Sequence, residues 1–297
     1  MKIDPNRPPE LPLDEIHEQL EKAVEKLKIP RVKHPARSAW NHLKKAWVLH
    51  PIDSEMSLFR AITAEEEAAT ALIRALQEQR YPNANLLKSH AHPHKAAIWP
   101  FITAFADKLT EKNIPLPHVA LRVEGDPRIE LSMDIGGPSG LDTPLWGTPD
   151  EPFNWSMWSD YTGEMKPHDF SVELAALASR NGAKSISAYI SEEANQRNRI
   201  LYASDKGIPA AFFADSLLIG RRMRVTVLLT LTIAVMQTWK HQIGFVQCLD
   251  ALLRAIDRFS GEAVEISPID TEVEHISMTE QPDGSMRAAL ITPRAKT

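Results

Sequence analysis

Residues 53–80, "DSEMSLFRAITAEEEAATALIRALQEQR", decide the fold class. The run holds no glycine or proline, is rich in strong helix formers, and opens on Asp53 or Ser54, either of which can cap a helix. Leu58, Ile62, Leu72 and Leu76 recur at helical spacing and form an apolar stripe. Set into that helix are Glu65, Glu66 and Glu67. Successive helical residues project about 100° apart, so these carboxylates cannot share one face. Either they form a solvated acidic face, or one or two of them are buried against basic groups of a neighbouring helix.

The same texture extends to both sides. Residues 13–29 carry Ile16, Leu20, Val24 and Leu27 at helical spacing, and Pro30 ends that run. A second helix is predicted over 35–51, with Pro35 in its first turn, and a fourth over 93–109, kinked at Pro100. Helical patterns return at 169–183, 185–204 and 210–259. Within the last, residues 225–239 are apolar on either period; their length and lack of punctuation favour helix, with Arg222, Thr226, Thr230, Gln237 and His241 as a polar seam.

Two segments alternate instead. Residues 118–135 turn at "EGDP" and residues 274–291 turn at "PDG", which predicts two β-hairpins forming one small antiparallel sheet. Residues 136–168 show no period and hold Trp146, Trp155 and Trp158, so they read as an irregular insertion, suited to docking a partner or to packing back on the domain. The expected fold is mainly α. Residues 1–12 are extended, a helical bundle spans 13–260 with an insertion at 116–168, and 261–297 pack a hairpin region onto it.

Composition narrows the function. Hydrophobic residues make up 43% and charged residues 25%, ordinary for a globular protein, and the net charge of −5 argues against a surface that coats nucleic acid or membrane. A polyanion site must then be a local basic patch. The single Cys248 excludes an intramolecular disulfide and a cysteine-rich zinc site. The apolar run at 225–239 is shorter than the roughly 20 residues of a membrane span, and the first residues lack a signal-peptide core. No membrane association and a cytoplasmic location are expected.

Three constellations carry chemistry. "LKSHAHPHK" packs His90, His92, His94 and Lys95 together; with a glutamate, such imidazoles suit zinc and hydrolysis, whereas the plainer alternative has His92 or Ser89 capping a helix that begins near Pro93. "RSAWNH" places Arg37 and His42 five residues apart, a spacing that resembles the Arg-x4-6-His ribonuclease motif of HEPN domains. "NQRNRILYASDKGIP" (195–209) puts Arg197 and Arg199 in a final helical turn, followed by Tyr202, Asp205, Gly207 and Pro209.

Taken together, these patches resemble the AbiV-type HEPN family of bacterial abortive-infection proteins. The likeness runs through Glu66 and Glu67, then His94 and Lys95, then Arg199, Leu201, Tyr202, Asp205, Gly207 and Pro209, with Arg197 beside them. Thr70 stands where the family often carries lysine, and Arg37 and His42 lie outside the usual late-helix position. The resemblance implies a HEPN-like bundle in which these polar residues converge. It implies antiviral defence through binding a phage or host protein or RNA, with a homodimer as the assembly left open. Metal-independent RNA cleavage by Arg37 and His42 is the secondary mode. No metal and no cofactor are expected; a metal-dependent hydrolase built on His90, His92 and His94, or a non-catalytic interaction module, are the alternatives.

Overall fold

The computed structural model describes residues 15–111, 118–122, 127–134, 146–147, 151–161, 163–202, 215–238, 240–256, 275–280 and 286–291. The protein is mainly helical with a small sheet. Helices α1 (Glu15–Lys26), α2 (Pro30–Leu49), α3 (Ser54–Glu78) and α4 (His92–Glu111) come first. After the strands follow α5 (Ser171–Arg180), α6 (Ile186–Leu201), α7 (Asp215–Met236) and α8 (Ile243–Ala255). Among the described residues no helix is long and apolar enough to cross a membrane.

Local chemistry explains the boundaries. Asp53 caps α3 by accepting from the Met56 backbone N–H at 2.9 Å, and Ser185 caps α6 by accepting from Ala188 at 3.1 Å. Helix α2 starts one turn earlier than the sequence suggests, because Pro30 sits at its first position, where a missing N–H costs nothing. Pro35 therefore lies inside the helix. The 210–259 run divides at residues 237–242 into α7 and α8.

Helices α2 and α3 pack as an antiparallel pair, and α7 lies along α3. One contiguous core joins Leu20 and Val24 of α1, Trp40 and Leu43 of α2, Ile73 of α3, Phe101 of α4, Leu228 and Leu229 of α7 and Leu253 of α8. Alanines at 61, 64, 68, 71 and 75, almost fully buried, let neighbouring helices approach α3 closely.

The sheet has strand order β1-β2-β3-β7-β6, with β1 His118–Arg122, β2 Arg128–Asp134, β3 Trp146–Gly147, β6 His275–Glu280 and β7 Met286–Ile291. Both predicted hairpins are present, but they meet only through β3, which runs antiparallel to β2 and parallel to β7. A second hairpin sheet, β4 (Trp158–Tyr161) with β5 (Glu164–Pro167), occupies the stretch that shows no period. Strands this short give too few alternations to register as a pattern. Residues 1–12, expected to be extended, fall outside the described residues.

Glutamine side chains fasten this insertion to the bundle. Gln237 accepts from the Ile129 N–H at 2.6 Å and donates to the same residue's carbonyl at 3.3 Å. Gln242 accepts from Phe153 N–H at 2.9 Å; Gln247 accepts from Met157 N–H at 2.9 Å and donates to the Met157 and His168 carbonyls. Irregular backbone can be buried only when its polar groups find partners, and these amides supply them.

Gly244 completes the closure. A Cβ there would meet the Phe153 carbonyl oxygen at 2.7 Å and that of Trp155 at 3.2 Å. Gly244→Ala should therefore push the 151–157 segment off α8 and destabilise the fold by about 1–3 kcal/mol; urea unfolding of the variant checks this, and an unchanged midpoint would show that the segment yields freely.

Beneath that segment lies a cavity of about 250 Å³ lined by apolar side chains and Cys248. Burial pushes the Cys248 thiol up to about 12. Since the thiolate is the reactive form, iodoacetamide at pH 8 should find about one thiolate in ten thousand in the folded protein. Labelling is expected to be slow in the native protein and fast on unfolding, as mass spectrometry would show; fast labelling of the native protein would mean that the thiol is not held protonated.

Candidate functional site

Midway along its length, helix α3 presents two carboxylates to α4, α6 and α7. Helix α4 begins at His92, so His92 and Lys95 lie one turn apart on the same side. Glu66 Oε1 is 3.0 Å from His92 Nδ1, while its Oε2 accepts from Lys95 Nζ at 3.3 Å and from Arg197 Nη1 at 3.4 Å. Arg197 Nη2 reaches His92 Nε2 at 3.3 Å. Both imidazole contacts are satisfied by the tautomer with its proton on Nδ1. The Arg197 guanidinium lies over the Phe59 ring, 5.7 Å from its centroid.

Glu65, one step round the helix, takes a different set. Arg221 Nη1 donates to it directly, and Arg224 Nη1 donates at 3.3 Å. Arg221 Nη2 also donates to Gln196 at 2.9 Å, and Arg224 lies over the Trp99 ring at 5.1 Å. Glu193 stands 4.0 Å from Arg224. Burial pushes the Glu193 carboxyl above the usual range against the opposing pull of Arg221 and Arg224.

Depth divides the cluster into two tiers. Glu65 and Glu66 side chains are only 14% and 12% exposed, and Lys95 and Arg221 are as deep, whereas Arg197, Arg224 and His92 are 28%, 26% and 40% exposed. Glu65, Glu66, Lys95 and Arg221 form the floor, and Arg197, Arg224 and His92 form the rim.

The other predicted residues go elsewhere. His94 is buried, and its Nδ1 accepts from the Lys88 N–H at 3.1 Å, anchoring the turn before α4. Arg199 pairs at 3.0 Å with Glu192 of its own helix, at the surface. Two helical steps turn a side chain by about 200°, so Arg197 and Arg199 cannot both face α3. Tyr202 is 65% exposed at the end of α6, and Glu67 has no hydrogen bond or ion pair among the described residues. Asp205 lies outside them. His90 is exposed, and among the described residues no group of histidine, cysteine and acidic side chains is placed to hold a metal ion.

Arg37 and His42 do not converge, since five helical steps leave them about 140° apart. Arg37 pairs with Glu25 of α1 at 2.7 Å. His42 Nδ1 instead faces Arg60 Nη1 of α3 at 3.3 Å. Burial, then Arg60 and Lys45, lower the His42 imidazole below its ordinary value.

Sequence reading missed Arg221 and Arg224. Their three-residue spacing in "GRRMR" marked one helix face, but nothing in it pointed to a partner on α3. It also missed a second buried polar chain. Ser159 Oγ is 2.8 Å from His168 Nδ1, His168 Nε2 is 3.0 Å from Glu173 Oε2, and Lys108 Nζ is 3.0 Å from Glu173 Oε1. Between His168 and Glu173 sits Phe170, at φ 58° with a fully buried ring packed on Phe101, Phe105 and His168. A left-handed phenylalanine costs about 1–3 kcal/mol, which this aromatic packing offsets.

The chain matches no protein-family model, no curated protein and no solved structure. What the α3 cluster can do follows from its chemistry. Each guanidinium carries five N–H donors, more than the contacts above use, and aromatic faces hold Arg197 and Arg224 in place. A rigid, cationic rim over a neutralising floor suits an oxyanion such as a phosphate.

Proposed function

We propose that the protein binds RNA through the α3–α4–α6–α7 cluster, as an abortive-infection-like antiviral protein of HEPN type that acts by binding. The observation that carries this reading is the rim of Arg197, Arg224 and His92 above the largely buried Glu65 and Glu66. It is a local basic patch on a chain of net charge −5, the form that a polyanion site must take here. Phosphate contacts of this kind give sequence-tolerant, salt-dependent affinity.

Anisotropy titrations with a labelled single-stranded RNA oligonucleotide test it. Arg197→Ala and Arg224→Ala should each weaken binding about tenfold, and each should lower the salt slope by about 0.7. Equal affinity for parent and variants would defeat the reading. In cells, parent but not variants should lower phage plating efficiency.

Cleavage is a second reading with one observation in its favour. The His42 imidazole, held in its basic form, faces Arg60, so the Arg/His pair of a metal-free ribonuclease is remade with a residue other than Arg37. Total RNA incubated with EDTA separates the two: cleavage that persists, and that His42→Ala abolishes, selects the enzyme.

A further inference from the structure

A separate site lies inside the bundle. The cavity under residues 151–157 is walled by α3, α4, α7 and α8, including Leu76, Phe101, Leu231 and Phe245. Its aromatic walls are ordered as pairs. Phe105 and Trp155 stack with centroids 5.6 Å apart, and Phe153 and Phe245 meet at 4.7 Å. Phe105, Phe153 and Trp155 are only partly buried, so the wall on the 151–157 side reaches solvent and offers a way in. Gly244 holds this wall against α8.

We propose that this cavity binds a small uncharged aromatic molecule of two fused rings. Charge is excluded by the lining, which offers no ionic partner, so a charged group would be desolvated without compensation. Size follows from volume: a cavity of about 150 Å³ holds benzene, and 250 Å³ admits a second ring. Aromatic character follows from the walls, whose rings offer faces and edges for stacked and edge-on contacts that a saturated ligand of the same shape cannot match. Cys248, its thiol protonated by burial, adds a soft, weakly polar spot to the wall.

The test uses the full chain with naphthalene as probe, decalin as its saturated counterpart and naphthalene-2-sulfonate as its charged one. Calorimetry and thermal unfolding should show that naphthalene binds and raises Tm, that decalin binds at least tenfold more weakly, and that the sulfonate does not bind. Leu231→Trp and Val227→Phe fill the cavity from α7; either variant, once shown to be folded, should lose naphthalene binding at least tenfold. If neither folds, the ranking of the three probes on the parent decides alone. Absence of naphthalene binding, undiminished binding in a folded filled variant, or sulfonate binding equal to naphthalene would overturn the proposal. Decalin binding as tight as naphthalene would overturn its aromatic character.

Discussion

Lys108→Met should lower stability by about 3–5 kcal/mol at neutral pH, because it leaves the Glu173 carboxylate buried beside a single imidazole. Both side chains are nearly inaccessible, at 11% and 8% exposure, so water cannot replace the lost ammonium. Burial alone would push the Glu173 carboxyl up, but Lys108, its own backbone N–H and His168 outweigh it and hold the group below its ordinary 4.5. Lys108 in turn is raised above 10.5, first by its bond to Glu173. The signs give opposite limits. Glu173 contributes fully above about pH 4.5 and loses that contribution as pH falls through its folded value; Lys108 contributes fully below about pH 10.5 and loses it as pH rises through its own. Urea unfolding across pH should show both limits in the parent and neither in Lys108→Met/Glu173→Gln, which should also recover much of the single variant's loss. A Lys108→Met protein as stable as the parent would reduce the pair to a surface contact.

Glu66→Ala should have an effect of similar size, about 3–5 kcal/mol, since it strands the buried Lys95 ammonium next to Arg197. A double-mutant cycle between Glu66 and Arg197 should give a coupling of about 0.5–3 kcal/mol. Arg199→Ala is the contrast: its exposed pair with Glu192 should leave stability unchanged within about 0.5 kcal/mol. Equal losses at positions 197 and 199 would mean that α6 is rotated from the orientation described here.

Why could the sequence show α3 but not its partners? Helix α3 declares itself through uninterrupted helix formers and a capping Asp53, all of which are local. The inward turn of Glu65 and Glu66 was one of two open alternatives, because helical phase says which residues share a face but not what stands opposite. Arg197 and Arg199 show the same limit. Either suits the end of α6, and only the packing of α6 on α3 and α4 separates them. The β4–β5 hairpin was invisible for another reason: its strands are too short to show an alternation, and the flanking Met157 and His168 backbone is held by Gln247 from beyond α7.

The ion pairs of Glu65 and Glu66 also bear on how the chain is made. Glu66 meets Arg197 across 131 residues of chain, and Glu65 meets Arg221 across 156. At about 5–20 residues per second, α2 and α3 can pair about six to thirty seconds before α6 and α7 leave the ribosome. During that interval both carboxylates remain hydrated on a face that will later be covered. Hydrated charges on a half-built, alanine-rich surface oppose its sticking to other nascent chains. Replacing both with alanine should therefore raise the aggregated fraction during synthesis beyond what the folded-state loss predicts, and supplying α6 and α7 earlier through a circularly permuted chain should relieve it.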